Sequence, residues 1–332
     1  MPYSTLYNTI AKPMDSHTDV TYIWHGGEPL LVPLDFYRKA VEFQSQFPNT
    51  KARNGFQSNG TLVTDEVLDF CSENKFDIGF SLDGPKNVND RTRRFRTGES
   101  SFSKTLDAIK RAQQRRVGGG AIVVVSRYNV DDLPGIYEFA VREGVNLKIN
   151  PLIRSGRACD NYGNIGIGSK EYGEALVKLF DVWYNDGSSI KVDPFEELMG
   201  NLLTEQPWGC NFSRSCQDSF ISIGPLGDIY PCGRFDGVHD FRLGNIDHDN
   251  LDEVLASQKR AHLKGRSARI KHCEPCDYRP ICNSGCMHNA YMIKGNIDDP
   301  DFYCASYKLL FEHIGPLIEK ELEKAVVEDE RK

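Results

Sequence analysis

Short β-rich runs alternate with amphipathic runs along the first half of the chain. The β-rich runs occupy residues 18–24, 54–57, 76–82, 121–125 and 147–153. Runs with helical spacing of apolar residues separate them, at 33–46, 64–73, 103–116 and 133–143. Strands that alternate with helices predict parallel pairing through helical crossovers, and therefore an α/β fold. A barrel and a doubly wound sheet both fit this pattern, because strand number does not separate them.

The second half of the chain has a different texture. Residues 155–168 are rich in Gly, Asn and Asp and predict a loop, and residues 172–184 predict a helix. Short loops and turn signals follow, until the run 308–328 predicts a long terminal helix. We therefore expect an α/β domain at 1–155, connecting helices at 156–204, a loop-rich domain at 205–310, and a terminal helix and tail at 311–332.

The composition excludes several classes of partner. The 332 residues are 26% charged and 39% hydrophobic, as in ordinary globular proteins, and the net charge of −7 gives no reason to expect a nucleic acid. No apolar run approaches the roughly 20 residues of a membrane span. The first residues lack the apolar core of a signal peptide. We therefore expect a cytoplasmic protein without membrane or nucleic-acid partners.

Eight of the ten cysteines form one group between residues 210 and 304. They are Cys210, Cys216, Cys232, Cys273, Cys276, Cys282, Cys286 and Cys304. Thiolates at such spacings bind zinc or iron–sulfur clusters, and in a reducing compartment a metal site is favoured over disulfides. The spread of the ligands and the Gly-x4-Cys turn ending at Cys232 favour two clusters, with zinc sites as the alternative. Cys71 and Cys159 lie outside the group, and we interpret both as packing residues.

Polar residues follow several of the predicted strands. Segment 25–29 reads His-Gly-Gly-Glu-Pro, in which glycines let a ligand approach the backbone and a carboxylate can hold an amine. Polar residues also end three other strands, at 57–59, at 81–83 and at Asn150. Since ligands of parallel α/β folds bind at the carboxyl ends of the strands, this row suits a ribose or an amino-acid head group. Ordinary turns with capping residues are the alternative.

A basic cluster, Asp-Arg-Thr-Arg-Arg-Phe-Arg, occupies residues 90–96. Charge runs of this kind usually form a solvated loop. The alternative is a clamp for an anion above the strand ends.

Together these motifs resemble the radical S-adenosylmethionine (SAM) enzymes with a C-terminal SPASM domain, a group that includes anaerobic sulfatase maturases and maturases of ribosomal peptides. The resemblance rests on the cysteine pattern and on segments 24–30 and 81–85. It implies a partial (β/α)6 TIM-like barrel that lacks its first strand, followed by a small loop-rich iron–sulfur domain. The implied activity is oxidative modification or crosslinking of a peptide or protein side chain through a 5′-deoxyadenosyl radical. Flavodoxin or ferredoxin is the implied electron donor.

The resemblance also implies roles for individual residues, although it identifies no catalytic residue. The implied contacts to SAM are Gly26, Gly27 and Glu28 at the methionine amine, Ser58, Asn59 and Ser81 along the methionine and ribose, and Arg93 near the carboxylate or the substrate. The implied ligands of a first auxiliary 4Fe-4S cluster are Cys210, Cys216, Cys232 and Cys286. The implied ligands of a second are Cys273, Cys276, Cys282 and Cys304.

The sequence departs from the family pattern in its first residues. Members carry the active cluster on a Cys-x3-Cys-x2-Cys loop before the Gly-Gly-Glu motif, and the sequence has no cysteine before Cys71. We therefore expect that the chain as written does not cleave SAM. We expect a third 4Fe-4S cluster only if the Cys-x3-Cys-x2-Cys segment is present. A catalytically silent peptide-binding relative is the alternative. Without the first strand, residues 18–24 are expected to form an unpaired sheet edge.

A second departure concerns the substrate. Sulfatase maturases place an aspartate directly after the cysteine of Gly-x4-Cys, where this chain has Gly233. Asp236 could replace it only if the loop turns. This departure favours peptide crosslinking over formylglycine formation, which stays as a second alternative.

Overall fold

The computed structural model describes residues 1–214 and 216–329, and the side chains of 324–329 lie outside this description. Within these residues the main sheet has six strands, in the order β1-β2-β3-β4-β5-β6. The strands are β1 (Asp19–Trp24), β2 (Lys51–Ser58), β3 (Phe76–Ser81), β4 (Gly118–Val125), β5 (Leu147–Pro151) and β6 (Val192–Asp193). Pairing is parallel between β1 and β2, β2 and β3, β3 and β4, and β5 and β6. A smaller antiparallel sheet consists of β7 (Ser222–Ile223), β8 (Asp228–Tyr230) and β9 (Gly244–Asn245).

Helices connect the strands of the main sheet and continue beyond it. They are α1 (Tyr3–Ser16), α2 (Leu34–Gln44), α3 (Asp65–Asn74), α4 (Lys86–Asn89), α5 (Phe102–Arg115), α6 (Leu133–Glu143), α7 (Tyr162–Ile165), α8 (Ser169–Asp186), α9 (Phe195–Thr204), α10 (Cys216–Ser219), α11 (Leu251–Leu255), α12 (Gln258–Lys264), α13 (Arg266–Arg269), α14 (Arg279–Cys282), α15 (Met287–Lys294) and α16 (Cys304–Asp329). Local signals explain several boundaries. Thr64 caps α3 by accepting a hydrogen bond from the Val67 N–H, and Gly144 ends α6 in the left-handed region with φ +66°.

The chain divides into two compact units. The first contains Met1–Val123 and Ser219–His262. Its helix α1 packs apolar residues such as Leu6 and Ile10 against Tyr22 of β1. The other side of α1 is bound to the segment after β9, because the Asp247 carboxylate accepts hydrogen bonds from Thr5 Oγ1 at 2.7 Å and Asn8 Nδ2 at 2.8 Å.

The second unit contains Val124–Asp218 and the chain from Leu263 onward. Helix α8 carries its core, and the Tyr172 hydroxyl donates a hydrogen bond to the Ile149 carbonyl of β5 at 3.2 Å. Helix α16 packs closely on α8 at Gly173, where an added Cβ would lie 2.7 Å from the Ser306 Cα. Glycine at this position therefore permits the close helix contact.

The α/β class and the five predicted strands are confirmed, with shifted boundaries. Strand β2 begins at Lys51 rather than at residue 54, and α16 begins at Cys304 rather than at residue 308. Sequence reasoning missed β6, because two residues are too few to show a period. Among the described residues β1 is an end strand and pairs with β2, as predicted. The predicted loop at 155–168 contains the short helix α7, and the tail after Asp329 lies outside the described residues.

The proposed domain boundaries stay a prediction. No described helix is both long and apolar enough to cross a membrane.

Candidate functional site

The loop after β1 leaves its backbone accessible to a ligand. Gly26 adopts φ +91°, and a Cβ added at Gly26 or Gly27 would meet no described atom within 4 Å. A side chain at position 26 would be strained in this left-handed conformation. The two glycines therefore provide the open approach that the sequence predicts.

The Glu28 carboxylate connects the ends of β1 and β2. Its Oε1 accepts hydrogen bonds from Ser58 Oγ at 2.8 Å and from the Leu30 N–H at 3.2 Å. Its Oε2 accepts the Asn59 N–H at 2.8 Å. Three protein donors therefore engage the Glu28 carboxylate and tie the loop after β1 to the end of β2.

The polar residues at the ends of β1, β2 and β3 lie side by side. Ser58 is 1% exposed, and Ser81 Oγ accepts a hydrogen bond from Gln57 Nε2 at 3.3 Å. Asn59 Oδ1 accepts from the Thr61 N–H at 2.9 Å. Gly26, Gly27, Glu28, Ser58, Asn59 and Ser81 are here called the cofactor edge. Asn150 lies on β5 in the second unit, so it is described separately from this edge.

The predicted cofactor residue Arg93 has a protein partner. Its Nε donates to Asp83 Oδ2 at 2.7 Å and a terminal nitrogen donates to Asp83 Oδ1 at 3.1 Å. The side chain of Asp83 is 3% exposed and that of Arg93 is 25% exposed. The structure therefore places the Arg93 guanidinium in a bidentate ion pair, and its contact with a cofactor stays a prediction. Sequence reasoning missed this pair because it treated Asp83 only as the end of a strand.

The basic cluster at 90–96 forms an organised turn. Arg94 donates to the backbone carbonyls of Asp90 at 2.6 Å and Gly98 at 2.9 Å. Burial raises the pKa of Asp90, but hydrogen bonds from Lys86 and Ser100 outweigh it and hold the pKa below its ordinary value. These bonds favour the structural interpretation of this loop over the anion clamp.

Four of the patterned cysteines line one cavity in the second unit. They are Cys273, Cys276, Cys282 and Cys304, and Tyr278 and Asp301 lie in the same wall. Tight turns bring the four together: the Cys276 N–H donates to the Cys273 carbonyl at 3.2 Å, and the Cys282 N–H donates to the Tyr278 carbonyl at 2.8 Å. The chain then reverses through three left-handed residues, Asn283, Ser284 and Gly285. We call this the cysteine cavity.

The chemistry of the cysteine cavity suits a cluster. None of its four cysteines is in a disulfide. Burial raises the pKa of the Cys282 and Cys304 thiols, and the neighbouring Asp301 and cysteines add to this. A bound cation reverses this effect, because metal ligation favours the thiolate. Among the described residues no three His, Cys, Asp or Glu side chains converge on one metal-ion position.

The first predicted ligand set is divided between the units. Cys210, Cys216 and Cys286 lie in the second unit and Cys232 lies in the first. Cys286 is the N-cap of α15 and is not among the described residues that line the cysteine cavity. This favours the assignment of Cys286 to the first predicted set. That set as a whole stays a prediction.

The loop after Cys232 turns at once. The Phe235 N–H donates to the Cys232 carbonyl at 3.0 Å, within a short 3-10 helix from Gly233 to Phe235. Asp236 follows this turn, with its Oδ1 3.2 Å from where a Cβ at Gly224 would lie. Asp236 could replace the maturase aspartate only if the loop turns, and this turn is present.

Sequence reasoning missed two buried charged residues near the cysteine cavity. Asp301 is 1% exposed and Arg266 is 4% exposed. No periodicity or motif marks either residue, because each acts through backbone groups of distant segments.

Comparisons with known proteins agree with this geometry. Residues 14–140 match the radical SAM superfamily, and residues 210–277 match SPASM, an iron–sulfur cluster-binding domain. The chain is 30% identical over 322 residues to the cysteine-type anaerobic sulfatase-maturating enzyme of Clostridium novyi, covering 92% of this chain and 84% of that protein. It is 27% identical to the serine-type enzyme of Bacteroides thetaiotaomicron, over 90% of this chain and 77% of that protein.

Solved structures extend the likeness. The structure described as native anSMEcpe with bound AdoMet matches with a TM-score of 0.87 and 26% identity, over 96% of this chain and 89% of that one. Streptococcus suis SuiB shares the fold, with a TM-score of 0.62 and 15% identity over 90% of this chain and 69% of that one. The predicted partial (β/α)6 barrel with an iron–sulfur SPASM domain is thereby confirmed. The chain belongs to the radical SAM superfamily, in the SPASM-containing group that includes the anaerobic sulfatase-maturating enzymes.

Proposed function

We propose that the protein is a maturase that oxidises a side chain of a peptide or protein substrate by radical SAM chemistry. The observation that carries the proposal is the cysteine cavity, which gathers four patterned thiols in a chain that is similar to sulfatase maturases over nearly its whole length. Peptide complexes of anSMEcpe and SuiB support a polypeptide as the substrate class.

The cofactor edge suits SAM. Gly26 and Gly27 leave the backbone open, and Glu28 places a carboxylate beside it, where an ammonium group would be stabilised. By the family likeness Asn59 and Ser81 supply neutral hydrogen-bonding groups for the rest of the molecule, and the buried Ser58 orients Glu28 through its hydroxyl. When bound at a reduced cluster, SAM supplies hydrogen-atom abstraction from carbon.

The cysteine cavity favours a 4Fe-4S cluster over a zinc ion. A zinc ion draws four sulfurs to about 2.3 Å from one centre, whereas a cluster holds each thiolate on a different iron. Four cysteines line this cavity, and the match of residues 210–277 to an iron–sulfur cluster-binding domain favours the second arrangement. By the family likeness, Cys210, Cys216, Cys232 and Cys286 hold the other cluster.

Gly233 bears on the bond that is formed. A glycine has no side chain to accept the proton that the maturase aspartate is thought to take, which favours a thioether or carbon–carbon crosslink. The similarity to cysteine-type and serine-type sulfatase-maturating enzymes favours formylglycine as the second candidate. Asp236, which follows the turn after Cys232, is the residue whose contribution decides between them.

The test compares the 332-residue chain with the same chain preceded by a family Cys-x3-Cys-x2-Cys segment. Both proteins are reconstituted anaerobically, reduced with dithionite or flavodoxin, and incubated with SAM and peptides that carry cysteine or serine. We expect both proteins to bind the peptide and only the fused protein to release 5′-deoxyadenosine and modified peptide. The motif supplies the cysteine ligands of the cluster to which SAM binds, and the 332 residues contain no such motif.

Mass spectrometry then identifies the product. Either crosslink removes two hydrogens from the peptide, and a thioether also resists thiol alkylation, whereas formylglycine reacts with a hydrazine probe. A fused protein that binds peptide but never modifies it would favour the silent peptide-binding alternative. Stoichiometric zinc without charge-transfer absorbance would contradict the cluster assignment.

A further inference from the structure

One buried carboxylate lies between two cysteine-bearing segments of the second unit. Asp301 Oδ2 accepts the Cys286 N–H at 2.7 Å, and Oδ1 accepts the Tyr303 N–H at 2.7 Å. The backbone carbonyl of Asp301 accepts the Cys304 N–H at 3.1 Å. A single residue therefore fixes the backbone at Cys286, proposed for the first cluster, and at Cys304, proposed for the second.

Donors from the backbone and from a neighbouring side chain surround the Asp301 carboxylate. Asn289 Nδ2 donates to both oxygens at 3.2 Å, in addition to the two backbone N–H groups. An amide at this position would set an N–H group against one of these donors, because an amide has one oxygen acceptor and one NH2 donor.

A buried cation organises the same segments. Arg266 donates to the carbonyls of Gly285 at 2.8 Å and Asp299 at 2.7 Å, which precede Cys286 and Asp301 in the chain. Gly285 has φ +68°, and an added Cβ would collide with the Cβ of Asp301. The loop before Cys286 is therefore built around Asp301, with no room for a larger residue at 285.

We propose that Asp301 is a positioning residue shared by both four-cysteine sites. Its carboxylate holds the ligand segments at Cys286 and Cys304 in one arrangement. The inference rests on the proposed cluster ligands. Its distinctive consequence is that a change at Asp301 affects both clusters, whereas loss of one cysteine ligand affects one.

The first test is Asp301→Asn in the full chain, reconstituted anaerobically. Iron per chain and the EPR spectrum of each reduced cluster are measured. We expect iron loss and altered spectra at both clusters, because the Asn amide sets an N–H group against the N–H of Cys286 or Tyr303. The control is Asp298→Asn, whose carboxylate pairs with Arg269 at a partly exposed position and is expected to leave the iron content and both spectra in place.

A second pair of variants keeps the Asp301 side chain and serves if Asp301→Asn does not fold. Gly285→Ala pushes on Asp301, while Gly295→Ala places the same residue at φ +76° with no described atom within 4 Å. Both carry similar backbone strain, but only the first displaces the carboxylate. We expect Gly285→Ala to lose iron from both clusters and Gly295→Ala to retain it.

The outcomes separate this inference from the proposed function. Stoichiometric zinc in the wild-type protein would overturn both. Wild-type protein with about eight irons supports the clusters independently of Asp301. In that background, full iron with unchanged spectra in Asp301→Asn, a change at one cluster alone, or equal iron in the two glycine variants would overturn the role of Asp301.

Discussion

The cofactor edge and the cysteine cavity satisfy their polar groups in different ways. At the edge, protein groups satisfy one another: Glu28 accepts from Ser58 and Asn59. In the cavity, thiols such as Cys282 are buried together and their pKa values are raised. Protein donors therefore stabilise the carboxylate at the edge, whereas burial in the cavity opposes the thiolate form that metal ligation requires.

The largest expected effect follows removal of iron. A chelator should increase hydrogen exchange in segment 273–304 strongly and leave β2 and β3 protected, because cluster binding stabilises the loops that provide the ligands. Hydrogen-exchange mass spectrometry measures both regions in one sample. Equal loss of protection in the two regions would contradict the comparison.

Loss of one cavity ligand should have the next largest effect. Cys282→Ala removes a thiolate from the second cluster, so we expect about four of eight irons to be lost. Iron analysis and charge-transfer absorbance measure the loss. The control is Cys159→Ala, since Cys159 is exposed and outside the pattern, and it should retain all iron. Full iron in Cys282→Ala would remove this cysteine from the ligand set.

Breaking the ion pair beside the cofactor edge should cost less. Asp83→Asn leaves the Arg93 guanidinium without its bidentate partner in a largely buried position, and we expect a loss of about 2 kcal/mol in the free energy of unfolding. Urea denaturation measures it. The control is Asp19→Asn, whose pair with Arg53 is exposed and should cost less than about 1 kcal/mol. Equal losses in the two variants would show that the buried pair has no special role.

The smallest effect concerns pH in the first unit. Burial raises the pKa of Asp247, but hydrogen bonds from Asn8 and Thr5 outweigh it, so the folded pKa lies below the ordinary value. A lowered pKa means that Asp247 stabilises the fold above the unfolded value of about 3.9 and loses this contribution as pH falls through the folded pKa. Asp247→Asn should therefore be less stable than wild type at neutral pH.

The stability difference between wild type and Asp247→Asn should shrink as the pH falls below the unfolded pKa of about 3.9. Thermal unfolding at several pH values measures it. A difference that is constant with pH would indicate that the side-chain shape of Asp247 matters and its charge does not.

The cofactor edge was predictable in its main features. A polar residue at the end of each parallel strand must lie near its neighbours, because the strands end at one edge of the sheet. The positions of Ser58 and Ser81 followed from this rule. The partner of Arg93 did not, because Asp83 lies ten positions earlier and only the folded loop brings the two together.

The sequence by itself determined the order of strands and helices, the open glycine loop and the identity of the soft ligands. These features depend on local periodicity, backbone freedom and side-chain chemistry, all of which are written in short segments. Only the tertiary structure decided which thiols share a cavity, that Asp247 binds α1, and that Asp301 joins two ligand segments. Those pairings connect positions far apart in the chain, where hydrogen-bond satisfaction in a packed interior selects the partner and no local pattern records it.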